Sequence, residues 1–176
     1  MDAMKSLLIL FFTAAVMTTT AEGQQVADTI YSPVISNPAY KPGSGPLILI
    51  DEGHYNFHTR GDRYLPFALL LEKDGYRTEG YSGRFETQRL GRGSILVISN
   101  ALNETNTERW YKPVLPAFTS EEIETVRQWV EKGGSLFLIA DHMPMGGAAA
   151  AMAAAFGFGF TDGFAIDTAS SGPSMF

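Results

Sequence analysis

The chain has no cysteine. A disulfide framework and a thiolate nucleophile are therefore both excluded, and stability has to come from a packed core. Histidine is scarce as well, with three in 176 residues. Basic runs are missing: 13 Lys and Arg stand against 19 Asp and Glu, for a net charge of −6. That balance supports neither nucleic acid nor an anionic membrane surface as a partner. No apolar run reaches the roughly 20 residues that a membrane-spanning helix needs. Ready-made catalytic motifs are lacking too. There is no G-x-S-x-G elbow of a serine hydrolase, no G-x-x-x-x-G-K-[ST] phosphate loop, and no G-x-G-x-x-G after the first strand.

The first 23 residues carry the three-part pattern of a secretory signal peptide. Lys5 supplies the basic start, Leu7 to Val16 the short apolar stretch, and Ala21-Glu22-Gly23 a cleavage site before Gln24. The expected location is exported, periplasmic or extracellular, with no membrane insertion after cleavage. Residues 24–45 are polar and hold Pro33, Pro38, Pro42, Gly43 and Gly45. They read as a flexible tether ahead of a domain spanning 46–176.

Within that domain strands alternate with helices. Leu47 to Asp51 is a continuous apolar run, as in a strand buried on both faces of a parallel sheet. Tyr64 to Lys73 reads as a helix with Pro66 in its first turn and Asp74-Gly75 as its stop. Tyr76 to Tyr81 and Ser94 to Ser99 read as further strands. Thr119 and Glu122 form a capping box, and Ile123, Val126, Trp129 and Val130 follow at helical spacing. Gly133-Gly134 then leads into a strand at Ser135 to Ala140, and an alanine-rich helix is expected over Ala148 to Phe156. This order predicts an α/β fold, an open parallel sheet with helices on both faces. Four strands are few for such a sheet, and after a short strand candidate at Phe164 to Ile166 no closing element follows. The domain therefore reads as cut short.

All three histidines fall just past the carboxyl end of a strand, the edge where open α/β sheets bind ligands. The first strand runs into Asp51, Glu52, His54, Asn56 and His58; the fourth runs into Asp141 and His142. Asp51, His54, Asp141 and His142 are the catalytic candidates: a carboxylate can fix an imidazole tautomer for proton transfer, or an Asp can attack directly. His54, His58 and His142 are the candidate ligands of a divalent metal in an open site. Glu52, Asn56, Arg84 and Asn100 are candidate ligand contacts on the same rim. The free amides expected at Gly146 and Gly147, where the alanine-rich helix opens, can hold an anion. The plain alternative makes these residues loop-stabilising groups and the glycines turn residues. Trp110 and Tyr111, in the long connection Asn100 to Phe118, suit stacking on a sugar or covering the core. Asn103-Glu104-Thr105 fits a glycosylation sequon.

Three stretches together resemble a known family. They are Ile50-Asp-Glu-Gly-His54 with Asn56 and His58, Ser94 to Ser99, and Phe118-Thr-Ser-Glu-Glu122 through the double glycine to Asp141-His142. The chain over about 46–165 is similar to uncharacterised exported domains of the class I glutamine amidotransferase-like superfamily. The resemblance implies a flavodoxin-like sheet and a pocket at the end of the fourth strand. In true amidotransferases a catalytic cysteine stands there, and here Asp141-His142 takes its place, so thioester chemistry is not implied. The expected function is binding of a small polar or carbohydrate-like ligand, with hydrolysis through Asp and His as its catalytic form. The competing reading is a non-catalytic module that uses the same rim for a protein or glycan.

Overall fold

The computed structural model describes residues 26–165. Residues 1–25, which include the expected signal peptide, and residues 166–176 lie outside the described residues, and so does the end of the strand candidate at 164–166. Four strands, β1 (Leu47–Asp51), β2 (Arg77–Tyr81), β3 (Ile95–Ser99) and β4 (Ser135–Ile139), form one all-parallel sheet in the order β2-β1-β3-β4. The open parallel α/β fold expected from the sequence is present.

Strand geometry sends alternate residues to opposite faces, and the core divides accordingly. Leu47, Leu49, Leu96 and Ile98 face one layer, where helices α3 (Ser120–Glu131) and α4 (Met145–Ala155) supply Val126, Trp129, Ala149 and Met152. Ile48, Ile50 and Val97 face the other, under α1 (Leu65–Lys73) with Phe67, Ala68 and Leu71. Ile50 and Leu96 are both fully buried, which is why the first and third strands read as unbroken apolar runs.

The elements start where local chemistry lets them. Pro66 sits in the first turn of α1, where its missing N–H costs no bond. The Thr119–Glu122 capping box opens α3, each side chain bonding the other residue's backbone N–H. At its far end Gly133 adopts φ +103°, and Gly134 lies so close to the Trp129 ring that a Cβ would approach within 2.3 Å. The alanine-rich helix begins at Met145, earlier than the sequence suggests. A short helix α2 (Thr87–Leu90) and a 3-10 turn at Glu104–Asn106 are added; both are shorter than any window in which periodicity is readable. The tether is not free along its whole length. Tyr40 and Gly45 donate their N–H groups to the carbonyls of Asp74 and Gly75, and the Tyr40 ring packs edge-on to Tyr76.

Candidate functional site at the carboxyl rim of the sheet

The sheet order reverses between β1 and β3, and that switch point is where a cleft opens in folds of this kind. Here the loop after β1 folds back into it. Asp51, fully buried, accepts from the Gly53 N–H, from the Asn56 side-chain amide at 2.9 Å and from His54 Nδ1 at 3.0 Å. Asn56 also accepts from the His54 N–H and reaches the Ser99 carbonyl at the end of β3. On the other side of the ring, His54 Nε2 lies 3.0 Å from Glu122 Oε1. Glu122 in turn accepts from the Phe85 N–H and from the N–H and hydroxyl of Thr119.

One imidazole is thus held between two carboxylates with the rings of Phe85 and Phe118 against it. Burial alone would lower the His54 pKa. The hydrogen bonds and charges of Asp51 and Glu122 outweigh it and raise the pKa above the ordinary 6.5. For Glu122 burial pushes upward, but bonds from Thr119 and His54 hold the carboxyl below its ordinary 4.5. With a carboxylate oxygen 3.0 Å from each ring nitrogen, neither nitrogen of His54 is open to a metal or to a substrate.

The candidates therefore separate into a closed cluster and an open one. Asp51, His54 and Asn56 tie the loop after β1 to the start of α3. The open cluster lies over β3 and β4. Asn100, at φ +48° directly after β3, donates its amide to Asp141 Oδ2 at 3.0 Å and accepts from the Asp141 N–H at 3.2 Å. Those two bonds fix which way the Asn100 amide points. Its Nδ2 also lies 3.3 Å from His58 Nδ1, so that nitrogen faces a donor and must accept. Ser99 Oγ sits 3.2 Å from the same nitrogen and 3.0 Å from the Tyr64 hydroxyl. Burial, with Arg63 adding to it against the pull of Asp141 and Asp62, lowers the His58 pKa below 6.5, in accord with a neutral ring.

His142 bonds its Nδ1 to the Met143 carbonyl and its backbone N–H to Asp141 Oδ1; its Nε2 is 3.8 Å from the same carboxylate. Around this cluster runs a string of rings, Phe164 on His142, then Trp110, Phe57, His58 and Tyr64, with successive centroids 4.7 to 5.8 Å apart. Asp141, half-exposed, is the acid beside them.

Two expectations need correcting. The metal trio does not assemble: His54 is turned into its carboxylates, and among the described residues no group of three or more His, Asp or Glu is placed to hold an ion. The anion site at the start of α4 is filled from within, because Asp162 Oδ1 accepts the Gly147 N–H at 3.1 Å while Gly146 bonds back to the His142 carbonyl. Of the candidate ligand contacts, Glu52 accepts from the Arg60 N–H, and Arg84 is exposed. What sequence reasoning missed is Ser99, Tyr64, Phe57 and Phe164. Ser99 alone left a signal there, as a polar residue closing an apolar strand at the same rim.

Comparison with family models, with curated proteins and with solved structures finds no match to this chain.

Proposed function

We propose that this chain is an exported domain of the amidotransferase-like kind that lacks the cysteine and binds a small polar or carbohydrate ligand over β3 and β4. The carrying observation is the half-exposed Asp141 carboxylate, oriented by the Asn100 amide and bordered by the rings of His142, Trp110 and Phe164. A fixed carboxylate accepts hydroxyl hydrogen bonds, and ring faces take the apolar C–H faces of a sugar; together they suit polyhydroxylated ligands.

A panel of neutral mono- and disaccharides, titrated calorimetrically, tests this. Asp141→Asn and Trp110→Ala are each expected to weaken binding by about tenfold, corresponding to roughly 1.4 kcal/mol. Absence of binding by the unaltered chain to every member of the panel would overturn the reading.

One observation favours a hydrolytic form of the same site. Ser99, Asn100 and Asp141 surround His58, and burial lowers its pKa below 6.5, a shift toward the neutral form that a general base requires. Chromogenic glycosides and esters report it directly, and activity that survives His58→Gln would exclude His58 as that base.

A further inference from the structure

Among the described residues β4 lies at the edge of the sheet. It pairs with β3 on one side, and among the described residues no strand pairs with the other. In a parallel ladder each residue turns its N–H and C=O to the same side and successive residues alternate. Ser135 donates to the Ser94 carbonyl and the Ile139 carbonyl accepts from Asn100, so residues 135, 137 and 139 bond toward β3. Leu136 and Leu138 consequently present their N–H and C=O groups outward.

Edge strands are ordinarily blunted by a charge, a proline or a bulge. β4 reads Ser-Leu-Phe-Leu-Ile, has none of these, and keeps an unbroken register with β3. Its central Phe137 is 53 % exposed. Beside it lies a cavity of about 430 Å³ lined by Leu136 and Leu138 and, across from them, Phe156, Phe158 and Phe160. The strand is bracketed by opposite charges, with exposed Lys132 before it and exposed Asp141 after it.

We infer that β4 pairs antiparallel with β4 of a second copy of this chain about a twofold axis at Phe137, joining two four-stranded sheets into one. The outward groups dictate this register. Leu136 of each copy meets Leu138 of the other as a doubly hydrogen-bonded pair, and the two Phe137 residues face each other between those bonds. Leu136 and Leu138 of the second copy fall on the same face as their counterparts and enter the apolar cavity. Antiparallel pairing also sets Lys132 of one copy at the same end as Asp141 of the other, so the flanking charges complement each other. A parallel partner strand would place like charges together. An isologous contact of this kind closes on itself and stops at a dimer.

The absence of cysteine makes the test clean. Phe137→Cys introduces the chain's single thiol at the proposed axis, where facing Cα atoms at about 4.5 Å fall within disulfide reach. Mild oxidation should link it into a covalent dimer, whereas a Leu115→Cys control, exposed on a different loop, should stay unlinked. Sedimentation of the unaltered chain over roughly 1–100 μM should show a dimer, and Phe137→Lys should shift it to monomer with its circular dichroism unchanged. A monomer at every concentration with no 137–137 disulfide overturns the inference and leaves the edge to a different occupant. A dimer that persists in Phe137→Lys and fails to link through 137 also overturns it, since another face would then hold the copies. Should Phe137→Lys unfold, the cysteine variant still decides.

Discussion

The rings of His54 and His58 sit only four residues apart, yet their surroundings shift their pKa values in opposite directions. For His54 burial pulls the pKa down, and the two carboxylates outweigh it and raise the pKa above 6.5. Its contribution to stability is complete below pH 6.5 and is lost as pH rises through its raised folded value. Glu122, held below 4.5, contributes above that value and loses its contribution as pH falls. His58, shifted downward, favours the folded state above pH 6.5 and opposes it as pH falls. With three histidines in the chain, the imidazole signals of an NMR titration are few enough to assign, and the expected order is His54 titrating above 6.5 and His58 below it. The reverse order would mean that the two carboxylates do not face His54. Removing the ring leaves two buried carboxylates uncompensated, so His54→Ala is expected to cost about 3–5 kcal/mol in urea unfolding. Tyr55, between these histidines, holds φ +47° with its side chain half-exposed. A bulky residue is strained there, and Tyr55→Gly should leave stability unchanged or raise it by up to about 1 kcal/mol.

Among the elements, α3 shows how one residue serves two purposes. In sequence Glu122 reads as the second half of a capping box, whose loss costs about 1 kcal/mol. In the fold the same carboxylate also receives His54 and the Phe85 N–H, so Glu122→Ala should cost roughly 3 kcal/mol, against about 1 for Thr119→Ala. Equal losses in thermal unfolding of the two variants would show that the carboxylate does no more than cap. At the other end of α3, Gly134→Ala would drive a Cβ into the Trp129 ring, which is itself packed in the core. The expected cost is about 1–3 kcal/mol, whereas Gly159→Ala, with open space around its Cα, should be close to neutral.

At the scale of the whole molecule, the parallel sheet, its principal helices and the rim were legible because they are written in short-range patterns. Leu47 to Ile50 and Leu96 to Ile98 are apolar without alternation, which a doubly covered strand requires, and the Thr119–Glu122 box is a local signature. What was not legible is how the rim divides. Whether His54 turns toward Asp141 or toward Glu122 depends on a contact 68 positions away, and no spacing within the loop encodes it. The same holds for Asp162, which closes the start of α4 from fifteen residues downstream. Local pattern places residues at an edge; long-range contacts then decide which of them face solvent.

The strand order carries a consequence for how the sheet breathes. β1 and β3 are each bonded on both sides, while β2 and β4 each have a described partner on one side only. In deuterium exchange the inner strands should therefore hold their protons longest, opening only with global unfolding. Within β4 the exchange should alternate residue by residue: Phe137, turned toward β3, slow, and Leu136 and Leu138 fast wherever the outer edge meets water. If those two leucine amides instead exchange as slowly as the amides of β1, the edge is covered in solution, and the time course of a few backbone protons becomes a gauge of how often two molecules part.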